Sequence, residues 1–188
     1  WINPCGIINY ELPKINKYIN YVNIETKNIK DLNSTEKQYI VHFIRNNFLN
    51  EENVKYNPNN SHVFNYLTNN NHSSYISIYK KPHFLHDNSN NIIEHIKYTG
   101  LLTANVLNIK LNDRPIFPLY YIDNLCVDKN NRKSGIAPQL IQTIYYKIRR
   151  LNTKIHICLF KREGIMSGIV PLIKYYTYLY NINSIINI

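Results

Sequence analysis

Apolar positions alternate along some stretches of this chain and recur every three or four residues along others, and the changes of period mark its elements. Ile40, Phe43, Ile44 and Phe48 fall at helical spacing behind Thr35 and Gln38, whose types and separation suit a capping box, so a helix is predicted over 35–48. From His72 to Lys80 the chain alternates as a strand, Tyr75, Ser77 and Tyr79 on one face and Ile76 and Ile78 on the other. Glu94 to Leu111 reads as a longer strand, in which Gly100 marks a bend or a close approach. Leu119 to Val127 is a strongly apolar strand, followed by a polar turn over 128–134. Ala137, Leu140, Ile141, Ile144, Tyr145 and Ile148 then make the stripe of an amphipathic helix. Residues 154–160 read as a strand, 171–180 as a last helix with Pro171 in its first turn, and 184–188 as the start of a final strand. Residues 1–30, broken by Pro4, Gly6 and Pro13, read as an irregular arm, and 50–61 and 81–91 as polar loops. The order of elements predicts a single α+β (mixed α/β) domain over 1–188, a central mixed sheet flanked by helices.

Composition and charge narrow the classes. The 188 residues, 44% hydrophobic with seventeen Tyr, suit one globular domain. No apolar run approaches the roughly 18 residues of a membrane span, and no signal-peptide pattern opens the sequence. Cys5, Cys126 and Cys158 form no CxxC or Cys/His ligand spacing; free thiols, a reducing cytoplasmic compartment and no metal are expected. Cys126 and Cys158 sit in apolar runs, where cysteine acts as a small buried hydrophobe. A net charge of +10 implies an anionic partner. The basic residues from Lys129 onward gather around one turn and the helix behind it, which fits a few phosphates better than a long polyanion track. Nucleic acid is the alternative that the charge leaves open, but it is not the expected partner.

The chemistry-bearing stretch runs from Tyr120 to Ile144. Within it Arg132, Lys133, Ser134, Gly135, Ile136 and Ala137 spell R-x-x-G-x-A between an apolar strand and an amphipathic helix. A tight basic turn entering a helix presents unpaired backbone N–H groups and the positive end of the helix dipole, which together suit a pyrophosphate. Gly135 lets backbone approach phosphate without a Cβ in the way, and Arg132 and Lys133 add charge-assisted contacts. A plain strand–turn–helix connection with a solvated turn is the alternative.

This motif resembles the pyrophosphate-binding turn of the GNAT superfamily of acyl-CoA N-acyltransferases. The wider run of Leu125, Cys126, Val127, Asp128 and Lys129, then Arg132, Ala137-Pro138 and Leu140-Ile141, resembles the N-terminal, acyl-CoA-binding half of N-myristoyltransferase. Residues 46–53, Tyr98-Thr99-Gly100-Leu101 and Lys174-Tyr175-Tyr176 extend the likeness, and Trp1 and Pro4 echo it faintly. Two departures stand out: that family carries a basic residue where this chain has Gly135, and its peptide-binding half has no counterpart here. The chain is thus expected to be either one half of a longer enzyme, catalytic or not, or a single-domain relative.

The resemblance implies an acyl-CoA co-substrate, acetyl-CoA or myristoyl-CoA, bound by a core over 119–188. Direct attack by a primary amine, a protein N-terminus or a small amine such as a polyamine, would form the new amide. Backbone groups of Asn124 and Leu125 match the family's oxyanion hole, and those of Leu125 and Val127 its pantetheine contacts; Cys126, Arg132, Lys133, Ser134, Gly135, Ile136 and Ala137 complete the cofactor-binding set. A base is needed for the attacking amine, and Asp123, the carboxylate inside the apolar strand, is the candidate, with a hydrogen-bonded structural Asp as the alternative. The carboxylate of Ile188 is a remote second choice. The thiolate needs a proton, for which the family suggests a tyrosine of the last helix; among Tyr175, Tyr176 and Tyr178 the choice is Tyr176.

Overall fold

The structure, a computed structural model, describes residues 10–49, 55–68, 72–86, 92–110, 112–113 and 115–161. The expected last helix and final strand lie outside the described residues, as do Cys5 and Tyr176. Among the described residues five strands, β1 (Ile24–Asn28), β2 (Tyr75–His86), β3 (Ile92–Ile109), β4 (Phe117–Val127) and β5 (Cys158–Phe160), form one sheet in sequence order. The first four pair antiparallel, and β5 joins β4 parallel. Helices α1 (Ser34–Asn47) and α2 (Asn60–Thr68) connect β1 to β2, and α3 (Ile136–Leu151) connects β4 to β5. The expected α+β class with a mixed sheet is what the chain adopts.

Each face of the sheet carries its own core. Ile40, Val41, Phe43 and Ile44 of α1 and Val63, Phe64 and Leu67 of α2 pack with Ile76, Ile78, Leu101 and Cys126. Leu140, Ile144 and Ile148 of α3 pack on the other face with Tyr79, Leu102, Ala104, Val106, Tyr120 and Ile122. The division of β2 into an isoleucine face and a tyrosine face is as the alternation predicts. Gly100 is a close approach: a Cβ there would lie 2.8 Å from Ile136 Cγ2 and 3.0 Å from Leu140 Cδ1.

Several expectations are corrected. Residues 24–28, read as part of an irregular arm, form β1. It is an edge strand among the described residues, and its Glu25 and Lys27 pair with Lys80 and Glu36, so its sequence lacks apolar alternation. The capping box uses Asn33 and Glu36, two residues before Thr35 and Gln38; Asn33 Oδ1 accepts from Glu36 N at 2.8 Å and Glu36 Oε2 accepts from Asn33 N at 3.1 Å. Helix α2 was not anticipated. Residues 81–86, read as loop, continue β2 into a ribbon with β3, where Pro82 faces Ile96 and Phe84 faces Glu94. The strand expected over 154–160 shortens to β5.

Residues 10–23, the described part of the arm before β1, lie along α3. Arg149, 1% exposed, donates to the carbonyls of Tyr10 at 3.1 Å, Glu11 at 3.0 Å and Ile155 at 3.2 Å, and Arg150 donates to Pro13 O at 2.8 Å. Asn20 adds bonds to Thr143 Oγ1 at 3.0 Å and Gln139 Oε1 at 2.7 Å.

Candidate active site

The register of β3 against β4 slips by one residue between Leu101↔Cys126 and Thr103↔Asp123, so Asn124 and Leu125 have no pairing partner on β3. This is a β-bulge. Asn124 adopts a left-handed φ of 53°, a conformation Asn tolerates better than most residues. Its side chain donates to Thr103 Oγ1 at 3.0 Å, and Thr103 Oγ1 donates to the Asp123 carbonyl at 3.1 Å.

Because side chains alternate with period two, the slip inverts which face the rest of β4 presents. Ile122 packs toward α3, and so do Leu125 and Val127, while Cys126 turns to the α1–α2 face. Cys126 is 5% exposed, and burial pushes its thiol well above the ordinary value, which leaves it a packing residue as expected. On the other edge of β4, β5 pairs with Tyr120, Tyr121 and Ile122 and goes no further among the described residues. Among the described residues, the strand edge from Asp123 to Val127 has no β5 partner at the bulge.

The same strand runs into the basic turn. Asp128 opens a 3-10 turn over Lys129–Asn131, accepting from Asn130 N at 3.1 Å and from Lys97 Nζ at 3.0 Å. Lys133 and Gly135 both take positive φ, 61° and 78°, and Gly135 is the N-cap of α3 with no side-chain cap. A Cβ on Gly135 would meet nothing closer than Gln139 Nε2 at 3.9 Å, so glycine answers to the backbone angle there and not to crowding. A left-handed Gly135 leading into the right-handed first turn of α3 turns successive N–H groups to one side, an anion nest to which the N–H groups of Ile136 and Ala137 belong. Ser134 Oγ donates to Asn131 O at 2.6 Å and braces the turn. Arg132 is exposed and reaches Asn47 O at the end of α1 at 3.3 Å. Lys133, Ser134 and Gly135 are exposed, Ala137 is half-buried and Ile136 is buried under the sheet.

Asp123 is half-buried on the α1–α2 face. Its Oδ1 accepts from Asn124 N at 2.8 Å, so the Asn124 N–H, half of the expected oxyanion pair, is bonded to the neighbouring carboxylate. Its Oδ2 accepts from the Tyr66 hydroxyl of α2 at 3.2 Å. Burial, and after it the Asp123 charge, push the Tyr66 phenol far above the ordinary tyrosine value. The same two causes, in the same order, raise Tyr56. Ser74 Oγ donates to Asn105 Oδ1 at 2.8 Å, and Asn105 Nδ2 donates to Tyr66 O at 3.3 Å, tying the end of α2 to the sheet. Ser74, Thr103, Asn105 and Asn124 are all buried.

The structure thus brings Asp123, Asn124 and Leu125 together at the bulge and carries the strand to the 132–137 turn. Tyr56, Tyr66, Thr103 and Asn105 were missed by sequence reasoning. Tyr66 lies on the unanticipated helix, and Thr103 and Asn105 look like ordinary strand polars until the register is known. Among the described residues, no group of three or more His, Cys, Asp or Glu could hold a metal, and no helix is long and apolar enough to cross a membrane. An open cleft of about 570 Å³ beside α1, lined by Gln38, His42, Arg45 and Asn59 among others, is lined by none of the site residues.

No family model matches the chain, and no curated protein sequence matches it. Solved structures do. A GNAT family acetyltransferase from Staphylococcus aureus is 14% identical, with 84% of this chain and 99% of that chain covered and a TM-score of 0.51. An aminoglycoside acetyltransferase from an uncultured soil metagenomic sample is 20% identical, with 84% and 95% covered and a TM-score of 0.49. Glucosamine-6-phosphate N-acetyltransferase from Arabidopsis thaliana is 10% identical, with 82% and 99% covered and a TM-score of 0.44. At such identities the likeness is one of fold, and the first of the three carries it: this chain has a GNAT-like fold. The likeness to N-myristoyltransferase rests on the sequence motif alone.

Proposed function

We propose that this chain is an acyl-CoA-dependent N-acyltransferase that moves an acyl group directly to a primary amine. The supporting observation is the bulge at Asn124–Leu125, on a strand that, beyond Ile122, has no β5 partner among the described residues and that runs straight into the Gly135 nest at the start of α3. The nest, with Arg132 and Lys133, would take the pyrophosphate, and the open edge at Leu125 and Val127 the pantetheine arm. As the amine nitrogen bonds to the thioester carbonyl carbon, the Leu125 N–H steadies the oxyanion, the role for which one donor is typically worth about 100- to 1,000-fold. Asp123 receives the proton that the amine gives up. The C–S bond then breaks, and the departing thiolate takes a proton from Tyr176, the donor proposed from the family likeness.

The shared fold with the Staphylococcus aureus GNAT family acetyltransferase favours acetyl-CoA. The Leu125–Lys129 motif favours a longer chain. Native mass spectrometry of the protein with equimolar acetyl-CoA and myristoyl-CoA decides between them by which is retained. Arg132→Ala should weaken either complex, and binding of neither would overturn the proposal.

A further inference from the structure

We propose that the outer half of the β2–β3 ribbon is a self-association surface, on which a second copy of this chain docks about a two-fold axis. It does not depend on the acyl-transfer reading.

β1 pairs with β2 as far as Tyr79, and β4 pairs with β3 from Gly100 onward. Among the described residues, 81–86 and 92–97 therefore pair only with each other, as a two-stranded ribbon that runs past the rest of the sheet. Such a ribbon is marginal in water unless one of its faces is covered. Residues directly opposite in an antiparallel pair share a face, so the register sorts the side chains. Pro82 and Ile96, and Phe84 and Glu94, lie on one face, with Ile92 two residues before Glu94. Lys81 and Lys97, and His83 and His95, lie on the other.

The first face is apolar. Phe84 is 62% exposed, Ile92 67% and Ile96 55%. At the base of the ribbon Tyr98 shares this face and meets Tyr39 of α1, ring centroids 6.3 Å apart, which carries the patch onto the helix. Together these side chains leave roughly 400 Å² of largely apolar surface, the size at which an exposed patch marks an interaction site. Each partner in a standard interface gives about 800 Å², so the patch is large enough for the apolar centre of a dimer contact with a polar rim.

Charge selects the second copy as the occupant. Two chains of +10 repel, so they meet best where positive charge is low. The charged residues of the apolar face are Glu94 and Lys80, and Lys80 is ion-paired with Glu25. The opposite face is basic. Its Lys97 and Lys81 reach Asp128 at 3.0 Å and Asn131 at 3.3 Å, so it looks toward the Lys129–Asn131 turn. An anionic protein or lipid surface would be drawn to that side. The apolar face offers such a partner little to pair with, whereas it matches its own copy, and a two-fold contact covers both patches at once.

The test is sedimentation velocity with light scattering on the full chain from about 1 to 100 µM, the range in which a modest interface dissociates. Wild type should pass from one copy to two as concentration rises. Phe84→Lys and Ile96→Lys, both at exposed sites, should each raise the dissociation constant about a hundredfold or more, since a two-fold contact meets every change twice. Leu85→Lys, on the opposite face of the same strand, should leave it within about threefold. A Phe84→Lys, Ile96→Lys variant and a Phe84→Glu, Ile96→Glu variant should each stay monomeric and should associate when mixed, which also shows that both are folded. A wild-type monomer throughout the range, whether or not it binds anionic vesicles, would overturn the proposal. So would wild-type association in Phe84→Lys, its loss in Leu85→Lys, or no association in the mixture.

Discussion

Gly100→Ala tests how α3 is seated. The new methyl would stand 2.8 Å from Ile136 Cγ2 and 3.0 Å from Leu140 Cδ1. Carbon atoms prefer about 3.5 Å or more, so the helix start must retreat by roughly 0.7 Å. Neither neighbour can step aside cheaply: Ile136 is β-branched, with χ1 nearly fixed on a helix, and both are buried. Overpacking of this kind costs about 1–3 kcal/mol, which for a domain of this size is a Tm lower by about 2–12 °C. Because Ile136 is the first residue of α3, the nest at Gly135 moves with it, and affinity for CoA should fall about tenfold or more. Thermal denaturation and calorimetric titration with CoA measure both effects. Ile136→Ala removes the colliding methyl, so the double variant should be more stable than the sum of the two single losses predicts, by about 1 kcal/mol. Gly135→Ala is the control. It meets no neighbour, loses about 1–2 kcal/mol through its left-handed φ, and should show no such rescue. A Gly100→Ala protein that melts within about 1 °C of wild type, or additivity with Ile136→Ala, would refute the packing argument.

Arg149→Met should destabilise by about 3 kcal/mol or more, since it strands the carbonyls that the guanidinium serves. It should also speed tryptic cleavage after Lys14 or Lys17, because two of those carbonyls belong to the arm, and limited proteolysis reads this directly. Burial alone would raise the Asp128 carboxyl, but Lys97 and the Asn130 N–H hold it below its ordinary 3.8. Its contribution to stability is therefore complete above about pH 4 and lost as pH falls through the lowered value, so Lys97→Met should lower Tm at pH 7 and change it progressively less as pH falls through that value. Asn124→Gly keeps the left-handed backbone and loses the bond to Thr103, whereas Asn124→Ala loses both; urea denaturation should find the alanine variant weaker by about 1 kcal/mol.

Strong periodicity was legible in the sequence. The stripe of α3 and the two faces of β2 followed from the spacing of apolar residues, because burial alone decides them. Gly100 could be read as a close approach, although not what approaches it. The elements that escaped share a cause: their stability comes from tertiary partners that a window of sequence does not contain. β1 is held by pairing with β2 and by ion pairs, with Ile24 as its one buried side chain, so IETKN carries no signal of its own. The nine residues of α2 make a helix too short to stand alone in water. It exists because Val63, Phe64 and Leu67 meet the sheet. The outer half of β2, with Pro82, His83 and His86, has loop-like composition and is a strand because β3 runs beside it. At the site the same division holds. The 132–137 turn is a local motif and could be found, and Asp123 stood out as a charge in an apolar strand. Tyr66 reaches Asp123 across 57 residues of sequence, and no local rule joins them.

Departures from plain packing converge on one spot. A strand whose register slips by one residue exchanges its buried and exposed sets, and β4 remains packed only because Cys126, small and apolar, sits where the slipped strand turns inward. Around that slip the sheet buries Ser74, Thr103, Asn105 and Asn124, residues that a purely structural core would replace with aliphatic ones at little or no loss. Each is hydrogen-bonded, and the chains of bonds end on Asp123 and on the backbone of Tyr66. Net stabilisation from such bonds is small, so their effect is mainly to fix geometry: they hold a carboxylate and a bulged backbone in one arrangement. Where local rules are broken together, and the broken groups are bonded to one another, the cause is sought in function. Among the described residues, the β4 edge beyond Ile122 meets this network on one side and the Gly135 nest on the other, the arrangement that the proposed transfer from a long anionic donor to a cationic acceptor calls for.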